Sequence, residues 1–364
     1  MNSATSGERT PKHLQIRQEM QRAILSGTYT DGQKIPSELE LAEKFGVSRP
    51  TMARALRDLE QHGLLQRRAG AGTYVRLTRK FVFGLLIREV GEIFDPICQG
   101  LALAREETPH ELIWGNIPAN LDAASEAESL CEQYVERKVS GVFWAPLELT
   151  DHNEEVNLRI VQSFERAEIP IVLLDRDIYP PPRRSHFDLV GIDDRRAGFT
   201  ATEHLLENGC RRVVFMARPH SAPTVDVRIM GYRDALFSRG ITPDPNSLQL
   251  GDPQDVSFVR RAMEQQNPDG VVCANDFTAA HLMRTLNVLG VNVPAQVKIV
   301  GFDDVKYANL VSPPLTTIRQ PCIEMGVAAL DAMLNRIKRP KSPAREILLD
   351  FKLIARQSCG SNMQ

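Results

Sequence analysis

IPSELELAEKFGVSRPTMARALRDLEQHGLL, residues 35–65, contains the signals for two helices and for the turn that separates them. Ser37 and Glu40 form a capping box, which predicts the start of a helix, and Gly46 predicts where that helix ends. Ser48 can cap a second helix. The apolar residues at helical spacing are Leu41, Ala42 and Phe45 in the first helix and Met52, Leu56 and Leu59 in the second. A pair of helices with so short a turn is typical of a helix-turn-helix.

Further elements flank this pair on both sides. Upstream, the segment Pro11–Gly27 has apolar residues at helical spacing and ends on a glycine, which predicts one more helix. Downstream, two short strand-like runs, Leu64–Arg68 and Thr73–Leu77, are joined by the glycine-containing segment Gly70–Gly72 and predict a β-hairpin wing. We therefore expect a winged helix-turn-helix domain over residues 11–76, preceded by a disordered N-terminus over residues 1–10.

The helix after Ser48 carries the residues expected to read DNA, because the N-terminal end of such a helix enters the major groove. Arg49 lies there and can pair bidentately with guanine, so it is our candidate base reader. Arg54 and Arg57 follow one and two turns later, where phosphate contacts are expected. An isolated exposed arginine is most often solvated surface; the arrangement as a whole favours DNA. The residues predicted to contact DNA are Ser37, Ser48, Arg49, Pro50, Thr51, Arg54, Arg57, Arg68, Gly70, Gly72 and Thr73.

The length and composition of the chain limit the number of domains and the class of protein. A chain of 364 residues exceeds what one hydrophobic core usually organises, so two or three globular units are expected. No run approaches the roughly 20 apolar residues that span a bilayer, and Met1–Thr10 does not resemble a secretory signal, so we expect a cytoplasmic protein without a membrane role. The six cysteines are widely separated and contain no C-x-x-C pair, which argues against a disulfide framework and against a zinc site.

The net charge of the chain is −2, and its charged residues are distributed unevenly along the sequence. Residues 8–80 contain 14 Lys and Arg but 8 Asp and Glu and therefore carry a net charge of +6, which leaves −8 on the rest of the chain. A basic N-terminal part on an acidic body suits a DNA-binding head.

From residue 81 the pattern changes to apolar runs that alternate with amphipathic stretches. The runs are residues 81–87, 141–145, 171–174, 213–216, 271–273 and 297–300. Such runs suit parallel strands that are buried on both faces and connected by helices. The predicted fold class is therefore α/β: after a basic linker (residues 77–80), an α/β core with parallel sheets covers residues 81–359, and residues 360–364 form a tail.

Polar residues stand where several of these runs end. In an open α/β sheet, ligands bind beyond the carboxyl ends of the strands. Carboxylate, amide and guanidinium groups together can hold vicinal hydroxyls, and aromatic faces can stack on a sugar ring, so a site for a sugar or another polyol is indicated. A strand-terminal Asp or Asn can also simply cap the next helix. The candidate effector-binding residues are Phe94, Trp144, Asp175, Arg228, Asn275 and Asp303.

The N-terminal motif resembles the GntR family of winged helix-turn-helix domains. The resemblance rests on residues 35–65 and on the following R-R-A-G-A-G-T-Y-V, and it covers nearly all of residues 11–76. It implies that Ser48, Arg49, Thr51 and the wing around Gly70–Thr73 contact DNA. Leu39 stands where that family usually has Arg or Asn, and Ala53 stands where it usually has Arg. The operator sequence therefore does not carry over.

The chain from about Phe81 to Cys359 resembles the ligand-binding core of the LacI/GalR family, itself similar to periplasmic sugar-binding proteins. The most specific segments are VLLDRD (172–177), VGIDDRRAGFTATEHL (190–205), RIMGYRDAL (228–236), CAND (273–276), VGFDD (300–304) and SPPLTTIRQP (312–321). The resemblance implies two α/β lobes joined by three crossovers, with effector held by Arg228, Asn275 and Asp303 and secondarily by Asp175 and the Phe94 region. This order of domains is also that of the arabinose repressors.

Three departures concern the effector domain. The hinge helix that normally precedes this core is replaced by the winged domain and its short linker. Pro253 stands where some members of the family have an aromatic residue that stacks on the ligand, and the loop Arg88–Phe94 lacks the usual Asn-Pro. The identity of the effector stays open.

These features predict a transcription regulator, most simply a repressor, that binds near-palindromic operator DNA as a homodimer. A small carbohydrate-like effector in the C-terminal domain would bind one conformational state better and thereby change the affinity for the operator. No cofactor is expected.

Two alternatives use the same α/β scaffold. A sugar-metabolising enzyme would need catalytic residues, but the eight histidines are scattered and no nucleophile elbow, phosphate loop or metal cluster is present in the sequence. A sugar-binding transport protein would need a secretory signal and no DNA-binding head.

Overall fold

The computed structural model describes residues 11–25, 28–61, 64–75, 81–87, 93–103, 109–115 and 122–360. These residues form two compact units, one before residue 81 and one from Phe81 onward. The predicted disordered N-terminus (1–10), the linker (77–80) and residues 361–364 of the tail lie outside the described residues. So do most of the loop 88–94, the predicted helix end Gly27, and Arg76, where the winged domain was predicted to end.

The N-terminal unit is the predicted winged helix-turn-helix. Its elements are α1 (Lys12–Leu25), α2 (Glu38–Phe45), α3 (Arg49–Gln61), β1 (Leu65–Arg68) and β2 (Gly72–Val75). The capping box is confirmed, since the Ser37 hydroxyl accepts a hydrogen bond from the amide of Glu40 and the Glu40 carboxylate accepts one from the amide of Ser37 at 2.7 Å. Gly46 ends α2 in the left-handed conformation at φ +61°. The apolar stripes of all three helices meet in one core with Leu65 and Val75.

The C-terminal unit contains two six-stranded sheets, each covered by helices, and we call these two layered parts lobe 1 and lobe 2. Lobe 1 contains β3 (Phe81–Leu86), β4 (His110–Ile113), β5 (Gly141–Trp144), β6 (Ile171–Leu174), β7 (Asp188–Ile192) and β13 (Glu346–Leu349), with α4 (Phe94–Leu103), α5 (Ala123–Glu136), α6 (Asn153–Arg166) and α12 (Cys322–Lys338). Its strand order is β13-β7-β6-β5-β3-β4.

Lobe 2 is built in the same way. It contains β8 (Val213–Ala217), β9 (Leu248–Leu250), β10 (Gly270–Cys273), β11 (Lys298–Asp303), β12 (Thr316–Arg319) and β14 (Lys352–Ile354), with α7 (Asp194–Glu207), α8 (Pro223–Ser238), α9 (Val256–Gln266), α10 (Asp276–Val288), α11 (Lys306–Leu310) and a 3₁₀ helix over Gln357–Cys359. Its strand order is β14-β12-β11-β10-β8-β9, and β14 pairs antiparallel with β12. The remaining pairings in both sheets are parallel.

The chain passes between the lobes three times, as predicted. It leaves lobe 1 between β7 and α7, returns between β12 and α12, and crosses again between β13 and β14. Because parallel strands present their carboxyl ends at one edge of a sheet, these crossovers bring the ligand-binding edges of the two lobes together. None of the described helices is long and apolar enough to cross a membrane.

Each lobe contains a pair of helices whose backbones touch through glycines. In lobe 2, a Cβ atom added to Gly231 of α8 would lie 1.9 Å from the carbonyl oxygen of Arg195 in α7. In lobe 1, a Cβ atom added to Gly326 of α12 would lie 2.1 Å from the carbonyl oxygen of Ile97 in α4. A side chain at either position would force the helices apart, so glycine is required here by close approach of the backbones.

Gly231→Ala is therefore expected to lower the free energy of unfolding by about 1–3 kcal/mol, even though alanine has the better helix propensity. Chemical denaturation of the full chain would measure this loss. The control is Arg233→Ala, an exposed position on the same helix, which should stay close to the wild type. Equal stability of the Gly231 variant and the wild type would show that the helices can separate without cost.

Candidate functional site

The first candidate site is the exposed surface formed by the start of α3 and the wing. The Arg49 side chain stands in the first turn of α3 and is 70% exposed, with its Nε atom 3.7 Å from the carboxylate of Glu38. The hydroxyls of Ser48 and Thr51 are 2.8 Å apart and hydrogen-bond each other. Pro50, Arg54 and Arg57 are also exposed. The helix end that was predicted to enter the major groove is thus not covered by the described residues of this unit.

The wing presents the other predicted DNA contacts. Its strands pair antiparallel, with Arg68 opposite Gly72, and the Arg68 guanidinium lies 4.5 Å from the ring centroid of Tyr74. Gly70 and Gly72 have φ values of +72° and +113°, which the tight connection between the strands requires. The backbone carbonyl of Thr73 accepts a hydrogen bond from Ile35, which ties the wing to the start of the helical pair.

All eleven residues predicted to contact DNA thus lie directly before α2, on or directly before α3, or in the wing. Ser37 differs from the rest, because its hydroxyl serves the capping box and its observed role is structural. The DNA contacts themselves stay predictions.

The second candidate site is a cleft between lobe 1 and lobe 2, with an empty volume of about 780 Å³ including its opening to solvent. Five of the six predicted effector residues line it, together with residues from loops of both lobes. The predicted residues are Phe94, Asp175, Arg228, Asn275 and Asp303. Asp175 follows β6 at φ +68° and Asp303 ends β11 at φ +105°, so both strand ends turn sharply at the cleft.

Arg228 occupies the floor of the cleft and is almost fully buried. Its Nε atom donates to Asp194 at 2.7 Å, its Nη1 atom donates to the carbonyl oxygen of Ala274 at 2.7 Å, and its Nη2 atom lies 4.0 Å from Asp303. The guanidinium also stacks on the ring of Phe302, with 4.6 Å to the centroid. This network fixes the guanidinium plane, so Arg228 presents its donors in a set direction.

The Arg228 guanidinium balances only part of the negative charge of the carboxylates around it. Burial raises the pKa of Asp303 to about 6 and that of Asp194 to about 7, although the Arg228 guanidinium lowers both. The negative charge of Asp175 adds to the increase in both cases. A ligand that donates hydrogen bonds to these carboxylates would stabilise their charged forms.

The upper part of the cleft is built from lobe 1. Arg176 forms an ion pair with Glu148 at 2.9 Å and lies 5.5 Å from the ring centroid of Phe94. Glu148 also accepts a hydrogen bond at 2.9 Å from the backbone amide of Ala222 in lobe 2. The two lobes are therefore in direct contact across the mouth of the cleft.

The position of Trp144 contradicts the prediction that this residue contacts the effector. Its side chain is fully buried in the core of lobe 1 among residues of α5 and α6, and it does not line the cleft. Side chains alternate between the two faces of a strand, and at Trp144 the alternation along β5 points the ring into this core layer. The indole Nε1 atom finds no hydrogen-bond partner among the described residues.

Asn275 has the two roles that the sequence left open. Its side chain accepts a hydrogen bond from the amide of Thr278 at 2.9 Å and so caps α10, and the residue also lines the cleft. Sequence reasoning missed four further polar residues at or beside the cleft, namely Glu148, Arg176, Asp194 and Gln320. Gln320 donates to Asp303 at 2.8 Å, and its Oε1 atom is buried without a partner among the described residues.

Families of known proteins match both the N-terminal and the C-terminal part of the chain. The bacterial regulatory protein family gntR matches residues 12–75, and the periplasmic binding protein-like domain matches residues 202–359. The arabinose metabolism transcriptional repressor of Geobacillus stearothermophilus is 30% identical, and the alignment covers 96% of this chain and 97% of that protein.

Two further similarities cover smaller parts of the chain. The transcriptional regulator GalR of Escherichia coli is 35% identical over 67% of this chain and 70% of its own length. The crystal structure of a LacI family transcriptional regulator from Enterococcus faecium, with bound ribose, superimposes with a TM-score of 0.60 at 23% identity and covers 76% of this chain and 98% of that chain. The protein belongs to the hybrid family of transcription regulators, not enzymes, in which a gntR-type DNA-binding domain precedes a LacI/GalR-type, periplasmic binding protein-like domain.

Proposed function

We propose that this regulator is a cytoplasmic repressor that binds a near-palindromic operator as a homodimer, and that a neutral sugar in the interlobe cleft lowers its affinity for the operator. The observation that carries the proposal is the cleft itself, which is lined by Arg228, Asn275, two strand-terminal carboxylates and the aromatic residue Phe94. Fixed donors and acceptors around one aromatic face match the alternating hydroxyls and apolar faces of a sugar ring.

The charge of the cleft favours a neutral effector. Among the described residues, the carboxylates of Glu148, Asp175 and Asp303 line the cleft with two guanidiniums, and the buried carboxylate of Asp194 lies next to one of these guanidiniums. Both guanidiniums are already paired within the chain, Arg176 with Glu148 and Arg228 with Asp194. A phosphate group would therefore meet excess negative charge in a buried site, which is energetically costly. Hydroxyl groups can instead donate to the free carboxylate oxygens.

The names of related proteins point to the same ligand class. One relative is a repressor of arabinose metabolism, and one structural neighbour was crystallised with ribose. Both names support the same class of effector for this chain, a small unphosphorylated sugar.

The homodimer is supported by exposed apolar side chains at the edges of both sheets. Trp114 directly follows the edge strand β4, and Leu250 ends the edge strand β9. They are 47% and 54% exposed, and Leu103 and Phe237, at the ends of α4 and α8, are exposed by 65% and 60%. Large exposed apolar groups beside the edge strands of the described sheets favour association with a second copy of the chain. Two heads would then reach two half-sites about one helical turn apart.

A gel-shift titration on DNA upstream of the gene tests the proposal. We expect specific retardation at moderate salt, and we expect one neutral pentose or hexose from a panel to reduce the affinity roughly 5- to 150-fold. The phosphate ester of the same sugar is the matched control and should have little effect. Absence of specific binding would contradict the DNA-binding role, and a response to the phosphate ester alone would contradict the neutral effector.

A further inference from the structure

Glu38 occupies a position that neither the helix-turn-helix motif nor the capping box explains. It is the first residue of α2, whereas the capping box uses Ser37 and Glu40. One carboxylate oxygen of Glu38 accepts a hydrogen bond from Nη2 of Arg67 at 2.7 Å, and the other lies 3.7 Å from Nε of Arg49. A single acidic side chain thus joins the candidate base reader of α3 to an arginine of the wing.

The geometry makes Glu38 a more buried support for two exposed side chains. The Glu38 side chain is only 23% exposed, whereas those of Arg49 and Arg67 are 70% and 51% exposed. The backbone of Arg67 is held as well, because its amide donates to the Glu60 carboxylate at 3.2 Å. A long side chain that is free in solution loses rotamer entropy when it binds, and a side chain held in place beforehand loses less.

The same carboxylate is unfavourable for contact with the DNA backbone. It places negative charge between two arginines on the surface proposed to face phosphates, and phosphate attraction supplies nearly all non-specific binding. A residue that orients a base-reading arginine and also weakens phosphate attraction increases the difference between operator and random DNA.

We propose that Glu38 is a specificity-determining positioning residue: it orients Arg49 for base reading, couples it to the wing through Arg67, and lowers the affinity for random DNA. This inference rests on the proposed role of Arg49 in base reading. Glu38 acts through the two arginines, so its removal should affect discrimination between DNA sequences more than it affects folding.

Two substitutions distinguish the effect of the Glu38 charge from the effect of the length of its side chain. Glu38→Gln removes the charge, and it should strengthen binding to a random duplex roughly two- to fivefold while reducing the ratio of operator to random affinity by about tenfold. Glu38→Asp keeps the charge but shortens the side chain by one methylene, so that it no longer spans both arginines. It should reduce the ratio while leaving the affinity for random DNA unchanged.

Fluorescence anisotropy with operator and random duplexes, together with thermal unfolding of the full chain, measures these quantities. Glu43→Gln is the control for charge, because Glu43 is an exposed residue of the same helix, and it should leave the ratio unchanged. The inference is overturned if both Glu38 variants keep the wild-type ratio. It is also overturned if Glu38→Gln changes both affinities by the same factor, or if both affinities fall together with the melting temperature.

An Arg49→Ala arm distinguishes failure of this inference from failure of base reading by Arg49. If that variant loses discrimination and the Glu38 variants do not, only the role of Glu38 is wrong. If Arg49→Ala keeps the wild-type ratio, base reading by Arg49 is wrong and the inference about Glu38 falls with it.

Discussion

Arg49→Ala is expected to reduce the affinity for the operator roughly 5- to 150-fold and the affinity for random DNA by no more than a few-fold. The loss of one bidentate arginine–guanine pair costs about 1–3 kcal/mol of discrimination, whereas the loss of one charge affects all sequences alike. Arg49 is exposed, so its removal should not disturb the fold. Titration of operator and random duplexes at two salt concentrations would measure both effects.

Arg54→Ala is the matched control, because Arg54 is an exposed arginine of the same helix that we assign to the phosphate backbone. It should weaken binding to operator and random DNA by similar factors and reduce the salt dependence by about one charge. If Arg49→Ala instead shows this uniform pattern, Arg49 is a phosphate contact and the base reader must be sought elsewhere on α3 or the wing.

Asp303→Asn is expected to remove the response of operator binding to the effector and to stabilise the effector-free protein. The carboxylate of Asp303 is a charge-assisted acceptor at the cleft, and loss of one such hydrogen bond costs about 1.5–3 kcal/mol of binding. The same carboxylate is poorly solvated, and burial raises its pKa to about 6. Asparagine keeps an acceptor for Gln320 while it removes the buried charge.

The gain in stability has a defined pH dependence. A carboxyl group whose pKa is raised in the folded state is not a burden below its ordinary pKa, and it costs stability as the pH rises from that value through the folded-state pKa. The advantage of Asp303→Asn should therefore grow between about pH 4 and pH 6 and stay constant above that range. Thermal unfolding at a series of pH values measures it. Asp331→Asn, at an exposed position of α12, is the control, and equal behaviour of the two variants would contradict our account.

Local signals predicted the N-terminal unit well. The capping box at Ser37 and the left-handed glycine at position 46 depend only on neighbouring residues, and the structure shows both. In the C-terminal unit the apolar runs predicted the central strands, but not β7 or β12. β7 begins at Asp188, whose buried carboxylate forms ion pairs with Arg336 and Arg345, more than 140 residues later in the chain. No local sequence pattern predicts such ion pairs.

The cleft shows the same division between local and long-range information. Asp175, Asn275 and Asp303 could be named because each follows a recognisable strand. Glu148 was missed because it stands four residues beyond the end of β5, outside any quoted motif. Gln320 lies in the quoted segment 312–321, but it follows β12, a strand that the apolar runs did not predict. Trp144 was chosen for its aromatic ring alone, and the prediction was wrong because the direction of a strand side chain depends on register.

The glycine contacts determine which parts of the C-terminal unit can bend. Gly198 and Gly231 bring α7 and α8 into backbone contact, and the Asp194–Arg228 ion pair joins the same two helices, so the floor of the cleft moves with lobe 2 as one piece. Gly100 and Gly326 fasten α4 to α12 in lobe 1, the lobe whose first strand follows directly from the linker. The three short crossovers are therefore the parts of this unit that we expect to bend. An effector that pulled Asp303 toward Asp175 would therefore rotate one rigid lobe against the other, and would not merely rearrange the cleft locally.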